Sequence, residues 1–250
     1  MLRLLCVTAH PDDEAGGFGG TFLLCRERGI ETTLLCLTAG GAASHRGNAA
    51  STDELKAVRR RELASACEML GITRHEIFDY PDGQLDRLDF HAVTGELTQR
   101  IRQWRPHVVV TFGSEGAITA HTDHGMAGLF TTAAFHAAPR TNRYPEQLAE
   151  GLAVWRPRKL YSSTANFTLP GRQPVSLAPC TCVVQIGPEK LEVKIQAFKQ
   201  HTSQSPLFDL FEGHVRQRGS VERFHLVASS TPGDVVAEDD LFAGIRDSED

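Results

Sequence analysis

Short apolar runs bounded by turn residues alternate with longer amphipathic stretches through the first half of this chain. Residues 2–8, 32–38, 76–80 and 108–112 are near-continuously apolar, the pattern of strands buried on both faces. Residues 17–28 and 54–70 carry helical periodicity between them. In the second stretch Leu55, Val58, Leu63, Ala66, Cys67 and Leu70 share one side, and Gly71 supplies a stop. Residues 88–104 predict a third helix, with Pro106 marking its end. Strands that alternate with helices imply parallel pairing through crossovers, hence an α/β fold with a doubly wound, mostly parallel sheet flanked by helices. In such a sheet the ligand crevice lies at the carboxyl ends of the strands. The second half is less regular, with strands expected at 158–163, 182–186 and 224–228 and a helix from Pro188 to about residue 200. Two long, small-residue-rich loops, 39–51 and 113–122, are of the kind that carries function.

Composition narrows the partners. With 250 residues, 41% of them hydrophobic, the chain can bury one large core. Residues 1–233 read as a single domain and 234–250 as an acidic C-terminal tail in which Leu241 and Phe242 can dock. A net charge of −5 gives no positive field for nucleic acid or an anionic membrane, so a small-molecule partner is expected. No apolar run reaches the ~18 residues of a membrane span, and the apolar opening is too short for a secretory signal. The six cysteines, Cys6, Cys25, Cys36, Cys67, Cys180 and Cys182, show no CxxC spacing and read as reduced thiols of a cytoplasmic protein.

The chemistry concentrates at two strand ends. The first apolar run ends in Ala9-His10-Pro11-Asp12-Asp13-Glu14, where His10 and Asp13 stand three apart across a strand-to-helix turn and can face one point. Two such residues are part of a catalytic metal set, which needs a third protein ligand and an open position. The run 108–112 ends on the same side of a parallel sheet, and after it comes His121-Thr122-Asp123-His124. His124 can complete the ligand set, with Asp123 accepting the proton of a nearby imidazole. The competing reading of the first motif is an acidic helix N-terminus, favourable to the helix dipole. A dinucleotide fingerprint is excluded by spacing, because Phe22 stands where the third glycine is required and the carboxylates would repel a pyrophosphate.

Ala9–Glu14 together with His121–His124 resembles the LmbE-like, or PIG-L, family of metal-dependent N-deacetylases, whose hallmarks are AHPDDE and a later HxDH. The similarity continues through Arg59-Arg60-Arg61-Glu62, Leu70-Gly71-Ile72, Tyr80-Pro81-Asp82-Gly83-Gln84-Leu85, and Lys194, Ala197 and His201-Thr202-Ser203-Gln204. The resemblance implies a Rossmann-like, LmbE-like fold and hydrolysis of an N-acyl group, commonly acetyl on a glucosamine unit. It implies a zinc ion, with Fe²⁺ or Co²⁺ as alternatives, held by His10, Asp13 and His124. Asp12 matches the general base, and His121 the residue that stabilises the oxyanion or protonates the leaving amine. Asp123 would hold an imidazolium such as that of His121. Arg59 and Asp82 match substrate-binding positions, although Arg59–Glu62 also reads as a solvated helix face and Asp82-Gly83 as a turn. A homo-oligomer is likewise what the resemblance implies. The chain departs from the family at Thr119, where some relatives carry a tyrosine, and at Thr122, where proline is usual. The alternatives are a nucleotide- or sugar-binding module without metal chemistry and a metal-dependent phosphoesterase.

Overall fold

The computed structural model describes residues 1–165, 175–231 and 233–246. Its centre is a seven-stranded sheet in the order β3-β2-β1-β4-β5-β7-β6. Strands β1 (Arg3–Thr8), β2 (Glu31–Thr38), β3 (Arg74–Tyr80), β4 (Val108–Phe112) and β5 (Lys159–Ser163) are parallel. Strand β7 (Val221–Ser229) runs antiparallel to both β5 and β6 (Cys182–Gln185). All five β4 residues are buried, as are the last five of β1, because helices cover both faces there.

Right-handed crossovers decide which helix covers which face. The chain steps outward from β1 to β2 and β3, returns to β4 beside β1, and then steps the other way to β5. Helices α1 (Asp13–Glu27) and α2 (Thr52–Leu70) therefore lie on one face, and α3 (Phe90–Trp104) and α4 (Thr122–Ala137) on the other. A short helix α5 (Pro145–Ala149) precedes β5, while α6 (Gly187–Phe198) packs on α1 and α2 and α7 (Phe208–Arg218) packs on α6. The reversal between β1 and β4 opens the crevice of the doubly wound sheet at their carboxyl ends.

Element limits follow local chemistry. The side chain of Ser51 accepts from the Glu54 N–H at 3.1 Å and starts α2 two residues before the periodicity predicts, and Gly71, at φ 71°, ends it. Asp89 caps α3 through the Ala92 N–H at 2.8 Å, moving its start from 88 to 90. Helix α1 starts at Asp13, four residues before the predicted 17, because the acidic turn is itself helical. Two of its glycines admit α6 and the residue before it: a Cβ at Gly19 would lie 3.0 Å from Lys194, and one at Gly20 2.4 Å from Ile186. Helix α7 was not anticipated, since residues 208–218 are mostly polar and half exposed.

The C-terminal residues are partly docked. Glu238 bridges to Cys182 and its carboxylate receives the Lys159 ammonium and the Tyr161 hydroxyl, while Leu241 and Phe242 are buried. Residues 247–250 of the acidic tail lie outside the described residues. All six thiols are free, and Cys180 alone is exposed. Among the described residues no helix is long and apolar enough to cross a membrane.

Candidate metal centre

Strand β1 delivers His10, and the first turn of α1 returns Asp13 against it. Asp13 Oδ2 accepts the N–H groups of Ala9 at 3.1 Å and His10 at 2.8 Å, which fixes the carboxylate and turns Oδ1 outward. Oδ1 lies 3.1 Å from His124 Nε2, on the first turn of α4. His124 is held by stacking on Phe112 of β4, ring centroids 4.2 Å apart and 11° from parallel. His10 Nε2 sits 3.0 Å from Asp82 Oδ1 and 3.2 Å from Asp123 Oδ2. Carboxylates only accept, so Nε2 carries a proton, and Nδ1, 3.6 Å from Asp13 Oδ2, is the nitrogen on the side of the ligand carboxylate.

The donor atoms of His10, Asp13 and His124 lie within 4.8 Å of one another, and all three residues are buried. Two imidazoles and a carboxylate, converging from three sides with the fourth open, are the donor set of a hydrolytic divalent ion. A second group, His10, His121 and Asp123, is equally close. Its carboxylate is already engaged, because Asp123 also accepts from the Gly83 N–H at 2.7 Å and the Leu85 N–H at 3.1 Å. Asp123 thereby orients His10. Burial works to raise the Asp82 carboxyl, but His10, the Ala42 N–H and Arg59 outweigh it and bring it down to about 2. Asp82, expected at the substrate, thus also orients His10.

Asp12, between the two ligands, belongs to neither ligand group and lines the cavity beside them. It sits at φ 104°, a left-handed conformation costing about 1–3 kcal/mol for a side-chain-bearing residue. Its N–H donates to Glu14 Oε2 at 3.0 Å, and Glu14 Oε1 accepts from His201 Nε2 at 2.7 Å, both side chains fully buried. Arg59 Nη2 donates to Asp12 Oδ2 at 2.9 Å and to the Pro11 carbonyl. Burial raises the Asp12 carboxyl and Arg59 opposes it, leaving it at about 6. The basic run on α2 is therefore divided: Arg59 is buried at the site, whereas Arg60 pairs with Asp79 at 3.1 Å on the surface.

His121 caps α4, its Nδ1 accepting the Asp123 N–H at 3.1 Å, so its proton is on Nε2. Its ring centroid lies 4.8 Å from that of His10 and 5.3 Å from that of His124. Burial, with those imidazoles close by, pulls its pKa down to about 4. The expected pairing of an imidazolium His121 with the Asp123 carboxylate is not made. Capping takes the ring nitrogen nearest Asp123, and His10, Gly83 and Leu85 take its oxygens. Thr119 lines the same cavity half-buried.

The sequence does not single out Glu14–His201, 187 positions apart, because neither residue carries a local signal for the other. The cavity measures about 550 Å³ and extends from the ligands past Arg59 and Asp82 on one side to α6 and α7 on the other.

The family model described as PIG-L, GlcNAc-PI de-N-acetylase, matches residues 5–135, which contain every ligand candidate. A mycothiol S-conjugate amidase of Streptomyces coelicolor is 27% identical, the alignment covering 99% of each chain. Among solved structures, an N,N'-diacetylchitobiose deacetylase from Pyrococcus horikoshii superposes with a TM-score of 0.72 at 23% identity, covering 99% of this chain and 87% of that one. The 4-carboxy-2-hydroxymuconate hydratase GalB of Pseudomonas putida superposes at 0.73 with 20% identity, covering 94% of this chain and all of that one. The fold thus serves more than one chemistry, and the choice rests on site residues.

Proposed function

Because the chain belongs to the PIG-L family, we propose that it is a cytoplasmic metal-dependent amidohydrolase that removes an N-acetyl or related N-acyl group from a glucosamine-containing small molecule. The observation that carries this reading is the convergence of His10, Asp13 and His124 beside an Asp12 that is in neither ligand group and is held by Arg59. We propose zinc as the ion, the same donors also suiting Fe²⁺ or Co²⁺. A divalent ion held there supplies Lewis acidity and lowers the pKa of a bound water toward ~7.

The chain's own residues do the rest. Asp12, near pKa 6 and steadied by Arg59, takes the proton of the attacking water at its carboxylate. His121, neutral and protonated on Nε2, donates to the oxygen that gains charge as the carbonyl becomes tetrahedral. Asp12 then passes its proton to the amide nitrogen, which leaves as the amine. Thr119 is too short to assist from its backbone position, so His121 is the side-chain donor for that oxygen. Asp123 acts through His10, as a positioning residue. Arg59 and Asp82 form the polar wall that receives the sugar hydroxyls.

The test is metal content together with hydrolysis of N-acetylglucosamine derivatives. About one divalent ion per chain, with turnover lost on chelation and restored by zinc, is the expected result. Undiminished hydrolysis after exhaustive chelation sinks the proposal.

A further inference from the structure

The cavity has two unlike ends. Toward β2 and β3 it is polar, walled by Arg59, Asp82 and loop residues Ser44 and His45. Toward α6 and α7 it is mostly apolar: Phe198, Leu207, Leu210, Phe211 and Val215 line it, with Lys194, His214 and Arg218 beside them. Leu210, Phe211 and Val215 recur at helical spacing on the face of α7 that also carries His214 and Arg218, and Leu207 just before the helix continues the apolar part of that wall. Phe198 stacks on Phe211 with centroids 3.9 Å apart, giving the wall a fixed aromatic floor. Leu210 is 41% exposed, a large apolar residue held at the rim.

Gly16 and Gly17 join this arm to the metal centre. They stand three and four residues after ligand Asp13, one turn along α1, and line the cavity with no side chain. A Cβ at Gly16 would stand in ordinary contact with the Phe198 ring, at 3.8 Å, so a side chain longer than alanine's would extend into the cavity between Asp13 and α7. A scissile amide at the centre has its amine side on the sugar and its acyl side on the carbonyl carbon. With the sugar against Arg59 and Asp82, the acyl group points to the opposite, apolar end.

We propose that the substrate's acyl group is an apolar chain longer than acetyl, lying in the arm between Gly16, Phe198 and α7. This rests on the amide-hydrolysing reading above and specifies its substrate as a medium-chain N-acyl amino sugar. Water cleaves the C–N bond, its oxygen going to a fatty carboxylate and a proton to the released amine. Each buried methylene is worth about fourfold in kcat/KM.

The experiment compares zinc-loaded wild type and Gly16→Leu on N-acetyl-, N-butanoyl-, N-hexanoyl- and N-octanoylglucosamine, with octyl N-acetylglucosaminide as a control. Gly16 is helical without a positive φ, and leucine is the better helix former, so the backbone there accepts it. The expected result is kcat/KM rising on the order of 100-fold from acetyl to hexanoyl, with Gly16→Leu cutting the longer substrates at least tenfold more than it cuts acetyl. A wild-type preference for acetyl, or an equal effect of Gly16→Leu on every chain length, overturns the proposal. So does a gain from the octyl aglycone that Gly16→Leu abolishes, which would give the arm to the other end of the substrate. Hydrolysis of none of these sinks the amide reading itself. Calorimetric binding of N-octanoylglucosamine then decides the arm, with tenfold weakening by Gly16→Leu supporting an acyl site and equal binding overturning it.

Discussion

Asp12 is held at its N–H by Glu14 and at its carboxylate by Arg59, which also binds the carbonyl of Pro11 before it. That clamp keeps a strained residue aimed at the crevice without making it a ligand. Asp12→Asn preserves its size and its hydrogen bond from Arg59 but cannot take a proton. Metal content should stay at the wild-type value by elemental analysis, while kcat falls ~10²–10⁴-fold. Loss of the ion would instead make Asp12 a ligand. His124→Ala has the opposite signature, because its ring supplies one of three donors: bound metal and activity should disappear together.

Helix α1 is tied to the far side of the sheet by one buried carboxylate. Glu222 of β7 accepts the N–H groups of Gly20 and Thr21 at 2.8 Å each, the Thr21 hydroxyl at 2.7 Å and the Lys194 ammonium of α6 at 2.5 Å. Removing it strands a buried ammonium and two backbone donors. Glu222→Ala should therefore cost about 3–5 kcal/mol, read as a lower urea midpoint. Gly20 stands at the same junction, where α6 approaches too closely for a methyl group. Gly20→Ala should destabilise by about 1–3 kcal/mol in the same measurement, since Ile186 has to move. Full stability in that variant would mean that α6 is not seated on α1 as described.

Over the whole molecule, burial sorts the thiols. Burial pushes Cys25 and Cys182 up to about 12, and Cys6, Cys36 and Cys67 are raised and buried too, whereas Cys180 is exposed. Iodoacetamide at pH 8 should label one thiol per native chain, at Cys180, and the other five only after denaturation, as counted by mass spectrometry. Ion binding is linked to folding, because the three ligands converge only when β1, α1 and α4 are in place. Zinc at a thousandfold excess over its Kd should stabilise by about 4 kcal/mol and raise Tm on the order of 10 °C, reversibly with chelator.

Residues 108–112 show what the sequence by itself determined. Their unbroken apolar run specifies a strand buried on both faces, and the observed strand has the same limits. Regular alternation in the first half likewise determined the parallel order, and so which loops share an edge and which motifs lie on them. These are local properties, legible because period and turn chemistry act over a few residues. Tertiary structure alone decided the partners. His121 caps a helix instead of pairing with the Asp123 carboxylate, Asp82 turns to His10, and His201 reaches Glu14 from the other end of the chain. It also brought the polar-looking α7 to the cavity and set Gly16 and Gly17 in its wall. Hydrogen-bond partners and cavity walls are set by which elements meet in space, and no spacing along the chain encodes that.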